Sequence, residues 1–317
     1  MAARADSPTG VQEQPDKMER RFHNDTKSPY CLPNDSEEHE RLFSQSNGVA
    51  AMFGGRVSHA PLSLSNPPTK MLDVGCGTGS VSLYLGETYP TAYVYGVDLS
   101  KVPDVSQRQA AERQRNVKFV QANYMEAVVG APGPTDEAKD LWQPNSYDLI
   151  FGRALVLGIQ NWDHFFQKAF ELLKPGGWVE NQDVDQMMVT YPDRRDLVDE
   201  WEWLRDMREF LTEASLDVDA GKNAAERMRK AGFVDVRVEK HVWPFVKIDE
   251  LPQTWALAEH CQRTHKSIVK AAAQRLLQGK VPQEKIDKYL ADIDRDLFSA
   301  PGIHYPFYVT LGRKPKK

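Results

Sequence analysis

Cysteine is scarce. The 317 residues hold three, Cys31, Cys76 and Cys261, far apart and without a metal-spaced pair, so no metal site is expected and a reducing, intracellular compartment fits best. Long apolar runs are missing as well. No stretch approaches the roughly 20 residues needed to cross a bilayer. The opening MAARADSPTGVQEQPDK has no apolar centre, so neither a membrane partner nor a secretory signal is expected. Positive charge is not in excess: a net charge of -5 removes the electrostatic case for nucleic acid, and the basic Lys314, Lys316 and Lys317 are too few to restore it. What remains, 41% hydrophobic and 27% charged, is the composition of a soluble globular chain, long enough for one large α/β domain or a domain with a cap.

Residues 1–20 are polar and rich in Pro, Ser and Gln, too poor in apolar side chains to offset ordering entropy, and read as a disordered tail. Residues 21–66 read as an N-terminal helical segment over the ligand site, its helix opened by Asn34-Asp35-Ser36 with Glu37 and Glu38 in the first turn. From 67 to 248 strands alternate with helices, which predicts a parallel sheet covered on both faces. The strands are KMLDVG, AYVYGVDL, VKFVQAN, YDLIFGR, WVENQDV and FVDVRVEKHVWPF. Residues 126–144 read as a surface insertion, KPGG as a glycine stop for the helix NWDHFFQKAFELL, and 194–215 as one long helix. Residues 249–299 read as a helical cap inserted before a last strand, HYPFYVTLGRKP, within 300–317.

Chemistry enters at Asp73-Val74-Gly75-Cys76-Gly77-Thr78-Gly79, between a strand and a helix, where open α/β sheets bind their ligands. Glycines there let a ligand lie against the backbone. A dinucleotide fold wants G-x-G-x-x-G, with a helix end aimed at a pyrophosphate. Here the spacing is G-x-G-x-G with an acid two residues before it, which suits a cationic ligand better than a phosphate. Asp98, at the end of the second strand, can accept from the two hydroxyls of a ribose. A ligand with a positive amino-acid end, a ribose and no phosphate is S-adenosylmethionine. A side chain at Gly77 is expected to block that ligand and leave the ligand-free fold intact.

The segment from Asp73 to about Asp185 resembles the class I S-adenosylmethionine-dependent methyltransferases, whose first motif reads LDVGCGTG. More narrowly, YCLPNDSEEHERL, VDLSKVP, IQNWDHFFQKAFELLKPGGWVENQD and the closing GRKP resemble the fungal LaeA-like methyltransferases. The resemblance implies a seven-stranded Rossmann-like sheet, order 3-2-1-4-5-7-6, with strand 7 antiparallel. It puts Asp73, Gly75, Gly77 and Gly79 around the cofactor's methionine and ribose, Asp98 at the ribose hydroxyls and Leu99 beside the adenine. Where the family usually has an acid after strand three, this chain has Asn123, followed by Tyr124; an amide bonds the same adenine edge without charge.

Methyl transfer to an activated donor needs mainly proximity and alignment, and a neutral hydroxyl acceptor also needs a base. Many small-molecule O-methyltransferases carry His-x-Trp after strand four; this chain has Gln160-Asn161-Trp162, and glutamine takes no proton. A histidine base of that type is therefore absent unless His164, one turn on, substitutes as the catalytic base. The acceptor is then an already ionised acid, or another histidine (His241, His260, His265 or His304) reaches in from the cap, or the chain is no longer a conventional methyltransferase. Arg153, ending strand four, offers a guanidinium fork to the cofactor's carboxylate or to an acidic substrate. Tyr30, Gln160, Trp162 and Trp203 are expected at the substrate pocket; Trp201 and Trp203, two apart on one helix, are not expected to face inward together. The expected function is O-methylation of a small fungal specialised metabolite in the cytoplasm. The alternatives are a LaeA-like regulator acting through protein partners, then with a nuclear location, and a fold repurposed for a pericyclic step. The sequence leaves the oligomeric state open.

Overall fold

The computed structural model describes residues 21–103 and 116–317; the expected disordered tail lies outside them. In chain order the elements are α1 (Ser36–Met52), β1 (Lys70–Val74), α2 (Ser80–Thr88), β2 (Tyr93–Asp98), β3 (Val117–Gln121), β4 (Tyr147–Arg153), α3 (Trp162–Leu172), β5 (Leu173–Val184), α4 (Glu202–Glu213), α5 (Ala220–Lys230), β6 (Val234–Pro244), α6 (Trp255–Leu277), α7 (Gln283–Asp296) and β7 (His304–Arg313). The sheet runs β3-β2-β1-β4-β5-β7-β6. β1 to β5 are parallel, and β7 lies antiparallel between β5 and β6. The central strands are buried on both faces, which is why they read as continuous apolar runs rather than alternating ones. Order reverses at β1, so the crevice beyond β1, β2 and β4 is where this topology places a ligand.

Helix starts follow local chemistry. The Asp35 side chain accepts from Glu38 N–H at 3.0 Å and caps α1, and Asn161 accepts from His164 N–H at 2.9 Å and caps α3. Gly232, at φ +99°, ends α5 with its N–H on Arg229 O at 3.0 Å.

Three expectations differ. KPGG does not stop α3: Leu173 is already extended at ψ 143°, and β5 starts there. The glycines instead form an irregularity within β5, where the register to β4 jumps, and a Cβ on Gly177 would lie 2.8 Å from Tyr147 O. The helix expected from 194 begins only at Glu202. Before it, Pro192 lacks an N–H, Arg194 is left-handed at φ +55°, and Asp196 takes the Val198 N–H at 2.9 Å, so side chains compete with helix formation. The 126–144 segment is not purely superficial, because Ala138, Leu141 and Trp142 are buried in the core.

Candidate functional site

The alternate glycines have a backbone reason. Gly75, Gly77 and Gly79 sit at φ +65°, +55° and +75°, a region that other residues enter only under strain. The Gly75 and Cys76 N–H groups donate to Val97 O at 2.8 and 3.1 Å, which folds the loop back over the end of β2. Cβ atoms on Gly75 and Gly79 would meet Leu155 at 2.4 Å and Phe119 at 2.5 Å, so those two glycines are also packed. Gly77 has only Leu42 Cδ1 near it, at 3.5 Å, and faces a cavity of about 470 Å³. The expectation of an intact ligand-free fold after substitution there needs correcting. Gly77→Val is strained by its own backbone, so it is expected to lower stability by about 1–2 kcal/mol as well as block the cavity; thermal melts of the ligand-free variant check this.

Asp98 closes the loop from the far side. Its Oδ2 accepts the Gly77 N–H and its Oδ1 the Ser100 N–H, both at 2.9 Å, and burial raises its pKa against those two bonds. A carboxylate has about four lone-pair positions, so acceptor capacity remains toward the cavity that it lines. Asp73 is buried too; burial pushes its pKa up to about 7, while the Ser82 hydroxyl, donating at 2.7 Å, and the Arg153 charge hold it down. Arg153 gives Nη2 to Ser46 Oγ at 2.7 Å, and its Nη1 is buried with no partner among the described residues. Burial lowers its pKa to about 10, with Asp73 and Glu180 opposing. An uncompensated buried guanidinium N–H is costly, so the cavity wall holds a ready donor for an anionic group.

A match to the family model described as "Methyltransferase domain" covers residues 51–238, more than half of the chain. The chain belongs to this family. Among curated proteins the chain is 30% identical to the methyltransferase pytC of Aspergillus terreus over 57% of its own length and 50% of that one. It is 28% identical to the secondary metabolism regulator laeA of Aspergillus flavus over 68% of this chain and 54% of that one. The chain spans about half the length of the curated relatives it matches. Among solved structures, a phosphoethanolamine N-methyltransferase 2 of Haemonchus contortus, in complex with phosphomonomethylethanolamine and S-adenosylhomocysteine, superposes with a TM-score of 0.50 at 19% identity. That superposition covers 85% of this chain and 53% of the other, a likeness of fold.

The other expected site residues separate. Leu99, Tyr124, Tyr30, Gln160 and His164 line the large cavity with Asp73, Gly75, Gly77, Asp98 and Arg153; Gly79 does not. Asn123 lines it too, but its amide is occupied: Nδ2 donates to Asp25 Oδ2 and Oδ1 accepts the Met125 N–H, both at 2.9 Å. Gln160 is exposed at the rim and donates to Ala214 O at 2.8 Å. Trp162 does not line the cavity. It is 2% exposed and packed on Phe165 and Phe166, because the inward stripe of α3 is aromatic core.

Trp203 lies instead on a second cavity, with its indole N–H on Asp296 at 3.1 Å. Trp201 stacks on it at 5.5 Å but is half-buried and lines neither cavity, so only one of the two faces a pocket, as expected, although Trp201 is the extended residue before α4 rather than part of the helix.

No cap histidine reaches the large cavity. His260 is held by Ser44 Oγ at 3.0 Å, His304 by Gly302 O at 2.8 Å, His241 lies by Glu239, and His265 borders the second cavity. The histidines that do line the large cavity, beside His164, are His23 and His39, from the segment before β1. Sequence reasoning missed them, and their only signal was their place in the segment expected to cover the site.

Asp183, at the end of β5, was also missed. Its Oδ2 accepts the Leu155 N–H at 2.8 Å and its Oδ1 the Val184 N–H at 3.1 Å. Burial nevertheless pushes its pKa up to about 7, with Asp185 adding to the rise. A carboxyl whose pKa rises on folding stabilises the fold while protonated. That contribution is complete below the unfolded value near 4 and is lost as pH climbs through about 7. Asp183→Asn is neutral throughout. Its melting temperature relative to the parent is therefore expected to rise by about 2 °C or more between pH 5 and 8, and a constant offset in thermal melts contradicts this.

Proposed function

We propose that this protein transfers a methyl group from S-adenosylmethionine to oxygen on a small molecule. The observation that carries the reading is the convergence on one cavity of the left-handed Gly77 backbone, the Asp98 carboxylate and the unpartnered Arg153 Nη1. These groups suit the cofactor: Asp98 for a ribose diol, bare backbone at Gly77 for close approach, and Arg153 for the amino-acid carboxylate. When bound, the cofactor supplies a methyl group activated on a sulfonium. The chain's part is to orient it and to exclude water, through α1 and the segment from His23 to Asn34 that line the same cavity. The family membership supports the same chemistry. The test is incubation with cofactor carrying a labelled methyl group and a panel of apolar hydroxyl compounds, read by mass spectrometry. Transfer of the labelled methyl supports the reading, and a panel left unmodified by protein that binds both ligands opposes it.

Arg153→Lys keeps a charge but loses the fork. It is expected to weaken S-adenosylhomocysteine about tenfold, as loss of one charge-assisted bond of about 1.5 kcal/mol implies. Methylthioadenosine, which lacks the amino-acid end, is expected to bind as before. Equal loss for both ligands in competition binding contradicts the assignment.

A second reading is favoured by one observation: the match to the laeA regulator runs over more of this chain than the match to pytC. A protein acting through partners binds the cofactor and leaves the whole acceptor panel unmethylated.

A further inference from the structure

The second cavity, about 140 Å³, lies under α4 and α6 and shares Tyr30, Leu42, Gln45 and Ala154 with the large one. The two cavities therefore adjoin through a common wall of four residues, as a donor site and an acceptor site must. Its lining is mostly apolar, with Val156, Leu204, Met207, Val269, Trp243 and Phe307 around it. A dry apolar cavity of about 150 Å³ takes one benzene ring, so this one fits a single ring or its aliphatic equivalent, with more of the molecule reaching the shared wall.

The polar groups select the head. Two guanidiniums border the cavity, and both are occupied. Arg41 gives Nε and Nη2 to Glu38 at 2.9 and 2.6 Å and Nη1 to Gln45 at 2.5 Å. Arg208 gives Nη1 to Gln186 O at 2.5 Å and Nη2 to Asp219 at 3.2 Å. His265, from α6, is held neutral by burial, its pKa pushed down to about 3, and its Nδ1 is buried without a partner among the described residues. Among the described residues the one carboxyl group on the lining is that of Asp183, ionised above about pH 7. An anion entering here meets Asp183, and both guanidiniums are already paired with carboxylates; an ammonium would gain Asp183 but loses its water to a mostly apolar wall that the two guanidiniums border. A neutral hydroxyl loses least and finds an acceptor.

We infer that the second cavity is the acceptor site of the proposed transferase, and that it takes an apolar, ring-bearing neutral alcohol or phenol whose hydroxyl donates to Asp183, the carboxylate that takes the hydroxyl proton as the oxygen gains the methyl group and S-adenosylhomocysteine is left. This rests on the proposed methyl-transfer reading for its purpose and on the cavity itself for its selectivity. It also turns the expected substrate away from a carboxylic acid, because Arg153 stands in the other cavity, beside Asp73.

The test is calorimetric titration of the whole protein at pH 7.5 with 4-ethylphenol, ethylbenzene, 4-ethylbenzoate and 4-ethylbenzylamine, without donor ligand. The phenol is expected to bind about threefold to tenfold more tightly than ethylbenzene, the gain of one hydrogen bond, and at least about tenfold more tightly than the acid or the amine. Asp183→Asn is expected to shrink the preference for phenol over ethylbenzene. Ala272→Phe, which fills the cavity from α6, is expected to abolish phenol binding while S-adenosylhomocysteine still binds. Equal or tighter binding of the acid or amine, no binding of any probe, or phenol binding untouched by Ala272→Phe in folded protein overturns the inference. Loss of S-adenosylhomocysteine binding with the phenol preference intact overturns the cofactor reading alone and supports the pocket.

Discussion

Asp98→Ala is expected to weaken S-adenosylmethionine binding about tenfold to a hundredfold. The carboxylate lines the large cavity and is held by two backbone N–H groups, Gly77 and Ser100, so its direction is fixed before any ligand arrives. Charged hydrogen bonds contribute about 1.5–3 kcal/mol each, and each 1.4 kcal/mol is about tenfold in affinity. Alanine also frees the Gly77 N–H, so some of the loss comes from a looser loop. Asp98→Asn separates the two effects: an amide oxygen still accepts from one N–H, and affinity is expected to fall less. Equilibrium dialysis with labelled cofactor measures both variants, and unchanged affinity in Asp98→Ala contradicts the placement of the ribose.

Arg41→Ala is expected to cost about 3–5 kcal/mol of stability, the range for breaking a buried ion pair from one side. Glu38 and Arg41 are 1% and 9% exposed, one turn apart on α1, and joined at two points. Removing the guanidinium leaves a carboxylate in the core beneath Tyr30. Replacing both residues by Leu and Met is expected to restore most of the loss, because no unpaired charge remains. Denaturant titration distinguishes the outcomes: a double variant as unstable as Arg41→Ala contradicts the ion-pair account. Since α1 carries Leu42, Gln45 and Ser46 to the cavity walls, the single variant is also expected to weaken ligand binding.

Much of the architecture was legible because it rests on local pattern. Apolar runs of strand length, spaced by helices, gave the parallel strands, and Asp35 and Gly232 marked helix ends by their own side chain or lack of one. The strand order came from resemblance rather than from pattern. KPGG misled because glycines serve a strand irregularity as well as a helix stop, and only the pairing of β4 with β5 decides between them. The start of α4 misled because Pro192 and the following aspartates act against an otherwise helical composition.

At the site, the residues named from motifs and strand ends, Asp73, Gly75, Gly77, Asp98 and Arg153, line one cavity although they are spread from residue 73 to residue 153, whereas His23, His39 and Asp183, which no motif marks, were not legible. Asp73 to Gly79 and Asp98 lie on one loop and its neighbour. The second cavity draws on α1, β5, α4, β6, α6 and β7, a set that no spacing in the chain connects. Trp162 and Trp203 illustrate the difference: both are nearly fully buried, yet one belongs to the aromatic stripe of α3 and the other to the cavity wall, and amphipathic pattern alone does not separate them.

The central claim is that the cavity bounded by Gly77, Asp98 and Arg153 holds S-adenosylmethionine. A crystal structure of the protein grown with S-adenosylhomocysteine tests it most directly. The account predicts one ligand in that cavity, with its ribose hydroxyls on Asp98 and its carboxylate on Arg153. Ligand density elsewhere on the molecule, or an empty cavity in crystals grown at saturating ligand, contradicts it.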